Sequence, residues 1–143
     1  MLIGEYTHTI DDKNRLSFPI KFRKEMGKNV VIAPGLEKSL FVFTTTEWKK
    51  KVEQLSESSL QADNRSFSRY LIGGASEVSI DAQGRILVPE SLKEKIGIKD
   101  KVVIVGVYSR VELWEENTWK LYKKQVESKA DDLANRLGEI GVL

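Results

Sequence analysis

The chain has 143 residues, a formal net charge of +2 and no cysteine. Its length fits one compact domain and its 41% apolar content supplies a core, while the missing thiols exclude disulfides, thiolate metal sites and cysteine nucleophiles. MLIGEYTHTI at the start holds no apolar run of signal-peptide length, and nowhere do about 18 consecutive apolar residues suggest a membrane span, so the cytoplasm is the expected location.

In chain order, Tyr6, His8 and Ile10 alternate with Thr7 and Thr9, four residues intervene, and Leu16 and Phe18 alternate with Arg15 and Ser17. This pattern predicts a β-hairpin with a four-residue loop. Asp11 is placed to accept hydrogen bonds from the loop amides, and Asn14 tolerates the left-handed backbone that a tight turn demands. Pro19 suits the first turn of a short helix, in which Phe22 and Met26 form an i, i+4 pair and Gly27 supplies the stop. Charge gathers here: Lys13, Arg15, Lys21, Arg23, Lys24 and Lys28 face only one acid, Glu25. That is either a solvated face or an anion-binding patch. The β-rich run after Gly27 predicts a third and a fourth strand. TTTE, Thr44 to Glu47, has the capping-box pattern and opens a helix with Trp48, Val52 and Leu55 on its apolar face. SESSLQADN reads as a polar linker, followed by a helix that carries Phe67, Tyr70 and Leu71 on one side and ends at Gly73 and Gly74.

The second half repeats the first. IDAQGR (Ile80 to Arg85) falls on IDDKNR (Ile10 to Arg15), Pro89 on Pro19, Val102, Val103 and Ile104 on Val30, Val31 and Ile32, and Trp119 on Trp48. Val78 and Ile80, then Ile86 and Val88, repeat the hairpin alternation. Leu92 and Ile96 repeat the helical pair, with Gly97 as its stop. VVIVGVYSRVELW predicts two strands turned at Ser109 and Arg110. A closing helix is expected from Thr118 to about Leu137, with Trp119, Tyr122, Val126, Ala130, Leu133 and Leu137 near a heptad stripe. A unit of about 45 residues buries too little apolar surface to stand alone. The two copies must therefore share a core with pseudo-twofold symmetry.

Twin turns on such a body suit a target that also repeats. With Leu16, Phe18, Ile86 and Val88 turned inward, Arg15 and Arg85 must leave by the opposite face. A guanidinium fork suits the O6 and N7 pair of guanine as well as phosphate, and Asp11 and Asp81 would hold that fork extended. The plainer alternative is that each Asp and Arg simply lock their own turn.

The segments GEYTHTIDDKNRLSFPIKFR (Gly4 to Arg23), GGASEVSIDAQGRILVP (Gly73 to Pro89) and VVIVGVYSRVELWEENTW (Val102 to Trp119) resemble the MraZ family. Its halves belong to the AbrB-type (SpoVT-AbrB) barrels of bacterial transcription factors and antitoxins. Both D-x-x-x-R signatures match; Asn14 departs from the glycine that many relatives have there. The resemblance implies an α+β, mainly β fold: two tandem AbrB-like βαββ units in a pseudo-twofold swapped-hairpin (double-split) β-barrel with flanking helices. The units are expected at residues 5–47 and 76–119, with a helical connector at 48–75 and a C-terminal helix at 120–143. It further implies a DNA-binding regulator, generally a repressor, of its own division and cell-wall gene cluster. Such a protein reads G-rich direct repeats in promoter DNA, resides at the nucleoid and assembles as a homo-oligomeric ring. The expected DNA-binding residues are Asp11, Lys13, Asn14, Arg15, Asp81, Gln83, Gly84 and Arg85, with Lys21, Arg23 and Lys24 on phosphates regardless of sequence. No cofactor, metal, membrane or small-molecule substrate is expected.

The residues argue against an enzyme. His8, the single histidine, shares the predicted inward face with Tyr6 and Ile10, and no Ser/His/Asp set, P-loop or G-x-G-x-x-G pattern accompanies it. Asp11 and Asp12 are opposed as cation ligands by Lys13. A scaffold is the stronger rival, with Trp48, Trp114, Trp119 and the last apolar stripe packing between subunits, although core is the ordinary reading of such residues. Antitoxins of this barrel type carry one copy and an acidic wrapping tail, whereas SKADDLANRLGEIGVL keeps helical periodicity.

Overall fold

The structure, a computed structural model, describes residues 1–57 and 61–143. The first copy comprises β1 (Ile3–Thr9), β2 (Arg15–Ser17), α1 (Ile20–Met26), β3 (Asn29–Pro34) and β4 (Leu40–Thr44), followed by α2 (Thr45–Glu57) and α3 (Ala62–Leu71). The second comprises β5 (Ser76–Ser79), β6 (Arg85–Leu87), α4 (Glu90–Ile96), β7 (Lys101–Val107) and β8 (Val111–Glu115), followed by α5 (Glu116–Ser128) and α6 (Ala130–Glu139).

Every ladder is antiparallel, which with the helices makes the fold α+β. Six strands form one sheet in the order β1-β7-β8-β4-β3-β5, and β2 pairs with β6 in a second. Exchanging the copies maps this order onto itself. The pseudo-twofold axis therefore passes between β4 and β8, where Phe41 faces its repeat equivalent, Glu112. The ladders leave the order open among the described residues, with β1 and β5 at its ends.

The predicted hairpins are built differently from the expectation. β1 pairs with β7 and β5 with β3, so the two arms of each hairpin find their ladder partners in the opposite copy. The tight turn between the arms does form: the Asp11 amide donates to Arg15 O and the Asn14 amide to Asp11 O, both at 3.0 Å. Alternation fixes which face of a strand is buried, and two copies with the same alternation offer two equivalent neighbours.

One face of the large sheet carries Val30, Ile32, Leu40 and Val42 with their counterparts Val102, Ile104, Val111 and Leu113. Leu16, Phe18, Phe22 and Met26 close over it, as do Ile86, Val88, Leu92 and Ile96. The alternate residues face the other way. Ala33, Phe41 and Phe43 lie with Leu71 against Trp48, Leu55 and Phe67 of α2 and α3, and Val103, Val105 and Trp114 lie against Trp119 and Tyr122 of α5. The central strands are apolar at almost every position because they are covered on both faces.

The short helices start after Pro19 and Pro89 and stop at Gly27 and Gly97. At α2 the Thr44 hydroxyl accepts from the Glu47 amide at 3.1 Å, which is the forward half of the predicted capping box. The equivalent at α5 is Glu115, whose carboxylate accepts from the Asn117 and Thr118 amides at 2.6 and 3.2 Å.

Two boundaries differ from the sequence reading. The predicted closing helix is two helices, because Lys129 leaves helical dihedrals (φ −115°, ψ 6°), and α6 restarts with Asp131 and Asp132 at its positive end. An unbroken apolar stripe hides such an interruption. Helix α3 begins at Ala62, inside the predicted linker, of which residues 58–60 lie outside the described residues. No described helix is long and apolar enough to cross a membrane.

Candidate nucleic-acid interface

Each D-x-x-x-R turn is organised by its aspartate. Asp11 Oδ1 accepts from the amides of Lys13 (2.9 Å) and Arg15 (2.8 Å), and Oδ2 accepts from Arg15 Nε (2.6 Å). In the second copy Asp81 does the same with Gln83 (2.9 Å), the Arg85 amide (2.9 Å) and Arg85 Nε (2.8 Å). The last turn residue takes a left-handed backbone in both, with φ 61° at Asn14 and 78° at Gly84. Both carboxyls are held below the usual carboxylate range, chiefly by the arginine backbone amide. Desolvation opposes that effect, and the guanidinium and the second amide add to it. Since Nε makes the bond to aspartate, the outer edge of each guanidinium, with its two amino groups, remains for another partner.

The β2–β6 ladder sets the two arginines in one frame. Its register pairs Arg15 with Leu87, Leu16 with Ile86 and Ser17 with Arg85. It is lengthened by Phe18 N–H to Gly84 O (2.9 Å) and Val88 N–H to Asn14 O (2.8 Å). Leu16 and Ile86 point into the core and are buried. Arg15 and Arg85 therefore leave the other face as diagonal neighbours, with the two turns at opposite ends of the ladder. Their side chains are about one-third exposed, at 35% and 28%.

The remaining predicted residues fall into two groups. Lys13 and Gln83 are exposed in the turns, and Lys21 and Lys24 are exposed on α1. Arg23 is half-buried: its Nε donates to Phe18 O at 2.9 Å, and it lies against Gly84, where a Cβ would stand 2.2 Å from that Nε. Asn14 is held at both ends of its amide, donating to Glu90 Oε2 at 2.5 Å and accepting from Lys93 Nζ at 2.9 Å. Glu90 and Lys93 escape a reading of the turns alone. The available signal is the repeat alignment, which sets Lys93 on Arg23 and Asn14 on Gly84.

His8 is half-buried on β1, and burial, then the charge of Arg23, depresses its protonation. On the same face, Tyr6 meets Phe22 edge-on at 5.3 Å. Among the described residues, no group of three or more His, Asp or Glu is placed to hold a metal ion.

A family model described as "MraZ protein, putative antitoxin-like" matches residues 1–70 and again 71–139. The chain is similar to the transcriptional regulator MraZ of Caldanaerobacter subterraneus subsp. tengcongensis, 40% identical over 143 residues that cover 99% of this chain and all of the relative. It is also similar to the proteins of the same name from Alkaliphilus metalliredigens (38% over 143 residues) and Clostridium acetobutylicum (41% over 145 residues), each with 99% of this chain and all of the relative covered.

Proposed function

Because the chain belongs to the MraZ family, we propose that it is a transcriptional regulator that binds double-stranded DNA in a sequence-specific way through its paired D-x-x-x-R turns. The observation that carries this reading is the shared ladder, which presents two guanidinium groups outward from rigid turns at its opposite ends. Each group, anchored through Nε, keeps two amino donors for the O6 and N7 edge of a guanine in the major groove. Lys13 and Gln83 flank these donors at the DNA, Asn14 and Gly84 shape the ends of the turns that present them, and Lys21 and Lys24 serve phosphates.

The target is G-rich repeats upstream of the protein's own division and cell-wall gene cluster, where it acts as a repressor. The exchange of strand partners supports a swapped-hairpin barrel built from units at 5–47 and 76–119. Ring assembly multiplies the weak grip of one protomer through effective concentration. The ordered helix α6 favours this reading over a toxin-wrapping tail.

Mobility shift at a stated salt concentration tests the proposal. Arg15→Ala and Arg85→Ala are each expected to cost roughly 1 to 3 kcal/mol of binding to the repeats, with an unchanged circular dichroism spectrum. Undiminished binding by the double variant overturns it.

A further inference from the structure

Beyond the bonds to its own aspartate, each turn is held by the opposite copy. Helix α4 of the second copy reaches Asn14 at the end of the first turn: Glu90 takes a hydrogen bond from the side-chain amide and Lys93 gives one to its oxygen. Helix α1 of the first copy reaches Gly84 at the end of the second turn. There Arg23, bonded to Phe18 O, lies where any side chain at position 84 would be, and Gly84 is buried. These contacts occupy equivalent places in the repeat and are chemically unlike. The first is a polar clamp on an asparagine, the second a guanidinium laid over a glycine whose left-handed backbone already favours that residue.

We propose that Glu90, Lys93 and Arg23 are positioning residues, each short helix bracing the DNA-reading turn of the opposite copy so that Arg15 and Arg85 are held as one rigid pair. The inference rests on the DNA-reading role of the turns and adds what fixes their spacing. A base-reading arginine discriminates only if its fork is held within a fraction of an ångström of the base edge, and that tolerance is set by the residues behind it. The shared ladder couples the two turns along β2 and β6, and the braces couple their far ends. Arg23 thereby serves recognition from behind the turn and not at a phosphate.

Glu90 gives the decisive test, because bracing and simple electrostatics predict opposite signs. A carboxylate close to DNA repels phosphates, so deleting it should tighten binding to every duplex. If Glu90 holds Asn14, Glu90→Ala should instead weaken binding to a duplex carrying the upstream G-rich repeats by about fivefold or more, with binding to an unrelated duplex unchanged or stronger. Glu90→Gln removes the same charge, and the same acid from the first turn of α4, yet keeps an oxygen that accepts from Asn14. It is expected to bind the repeats at least as well as the parent protein.

The intact chain would be compared in mobility shifts on both duplexes, with thermal melting as the control for folding and the Arg15→Ala/Arg85→Ala double variant as the control for the reading turns. Loss in Glu90→Ala, rescue in Glu90→Gln and equal melting temperatures support the brace. Equal tightening on both duplexes by both Glu90 variants, in protein whose Arg15→Ala/Arg85→Ala double variant has lost discrimination, overturns the brace and leaves the reading turns standing. Absence of discrimination by the parent protein, or its undiminished survival in the Arg15→Ala/Arg85→Ala double variant, overturns the DNA-reading role and the brace together.

Discussion

Asp11 and Asp81 tie the shape of each turn to its charge state. Their folded carboxyls are acidified, so on lowering the pH the unfolded chain takes up protons first. Stability from these bonds is complete above the ordinary carboxylate value of about 4 and drains as the pH falls through it toward the lower folded value. A protein with Asp11→Asn and Asp81→Asn is therefore expected to be less stable at neutral pH but to lose less between about pH 5 and about pH 2. Urea unfolding across that window checks this, and parallel pH profiles would refute it. Lys21 and Lys24 lie outside this network on the exposed side of α1. Substituting either by alanine is expected to weaken all duplexes alike and to lower the salt slope by about one for each phosphate that is no longer neutralised. The turns themselves were legible in the sequence, because Asp at the start and Asn or Gly at the end are chosen by backbone chemistry within five residues. Glu90 and Lys93 were not, since 76 and 79 positions separate them from Asn14.

At the scale of elements, local chemistry fixes where a helix or strand begins far better than it fixes what the element pairs with. Thr44 opens α2 through its hydroxyl, and Thr44→Ala is expected to cost about 1 kcal/mol by thermal melting, as the Glu47 amide loses its partner. Phe18 is fully buried where the β2–β6 pairing meets Gly84, and Phe18→Ala is expected to cost about 3 to 5 kcal/mol in denaturant unfolding, with the cavity left in the main core. A loss under about 1 kcal/mol would mean that this face is less tightly packed than the side chains around Phe18 indicate. The inward set of Leu16, Phe18, Ile86 and Val88 followed from alternation alone. The partner of β1 did not: β1 had a choice between its own copy and the other, and only packing of the whole molecule decides it for β7. The break at Lys129 escaped for a similar reason, as an apolar spacing continues through a residue whose backbone has left the helix.

For the whole molecule, the repeat carries both the symmetry and its most informative failure. Helices α2 and α3 close the outer face of the first copy: Leu71 is buried, and the Tyr70 hydroxyl donates to Gly35 O at 2.5 Å. Helices α5 and α6 follow the second copy in the same order, and α6 has the same ten-residue length as α3, yet no residue of α6 is buried. Leu133, Leu137 and Ile140 remain 37%, 41% and 73% exposed, with Val142 and Leu143 exposed beyond them. A stripe that the internal twin uses for closure, left open at the end of the chain, fits a contact with a second copy in the proposed ring. Truncation after Lys129 is accordingly expected to reduce the particle size seen by light scattering while leaving the melting temperature of the remaining fold nearly unchanged. Leu71→Ala should do the reverse, costing the roughly 2 to 5 kcal/mol of stability of a buried leucine, and so lowering the melting temperature, without changing the particle size. If the truncated protein keeps the full assembly, the exposed stripe has no part in it. If it instead melts much earlier, α6 supports its own subunit, and the difference between the two copies lies elsewhere.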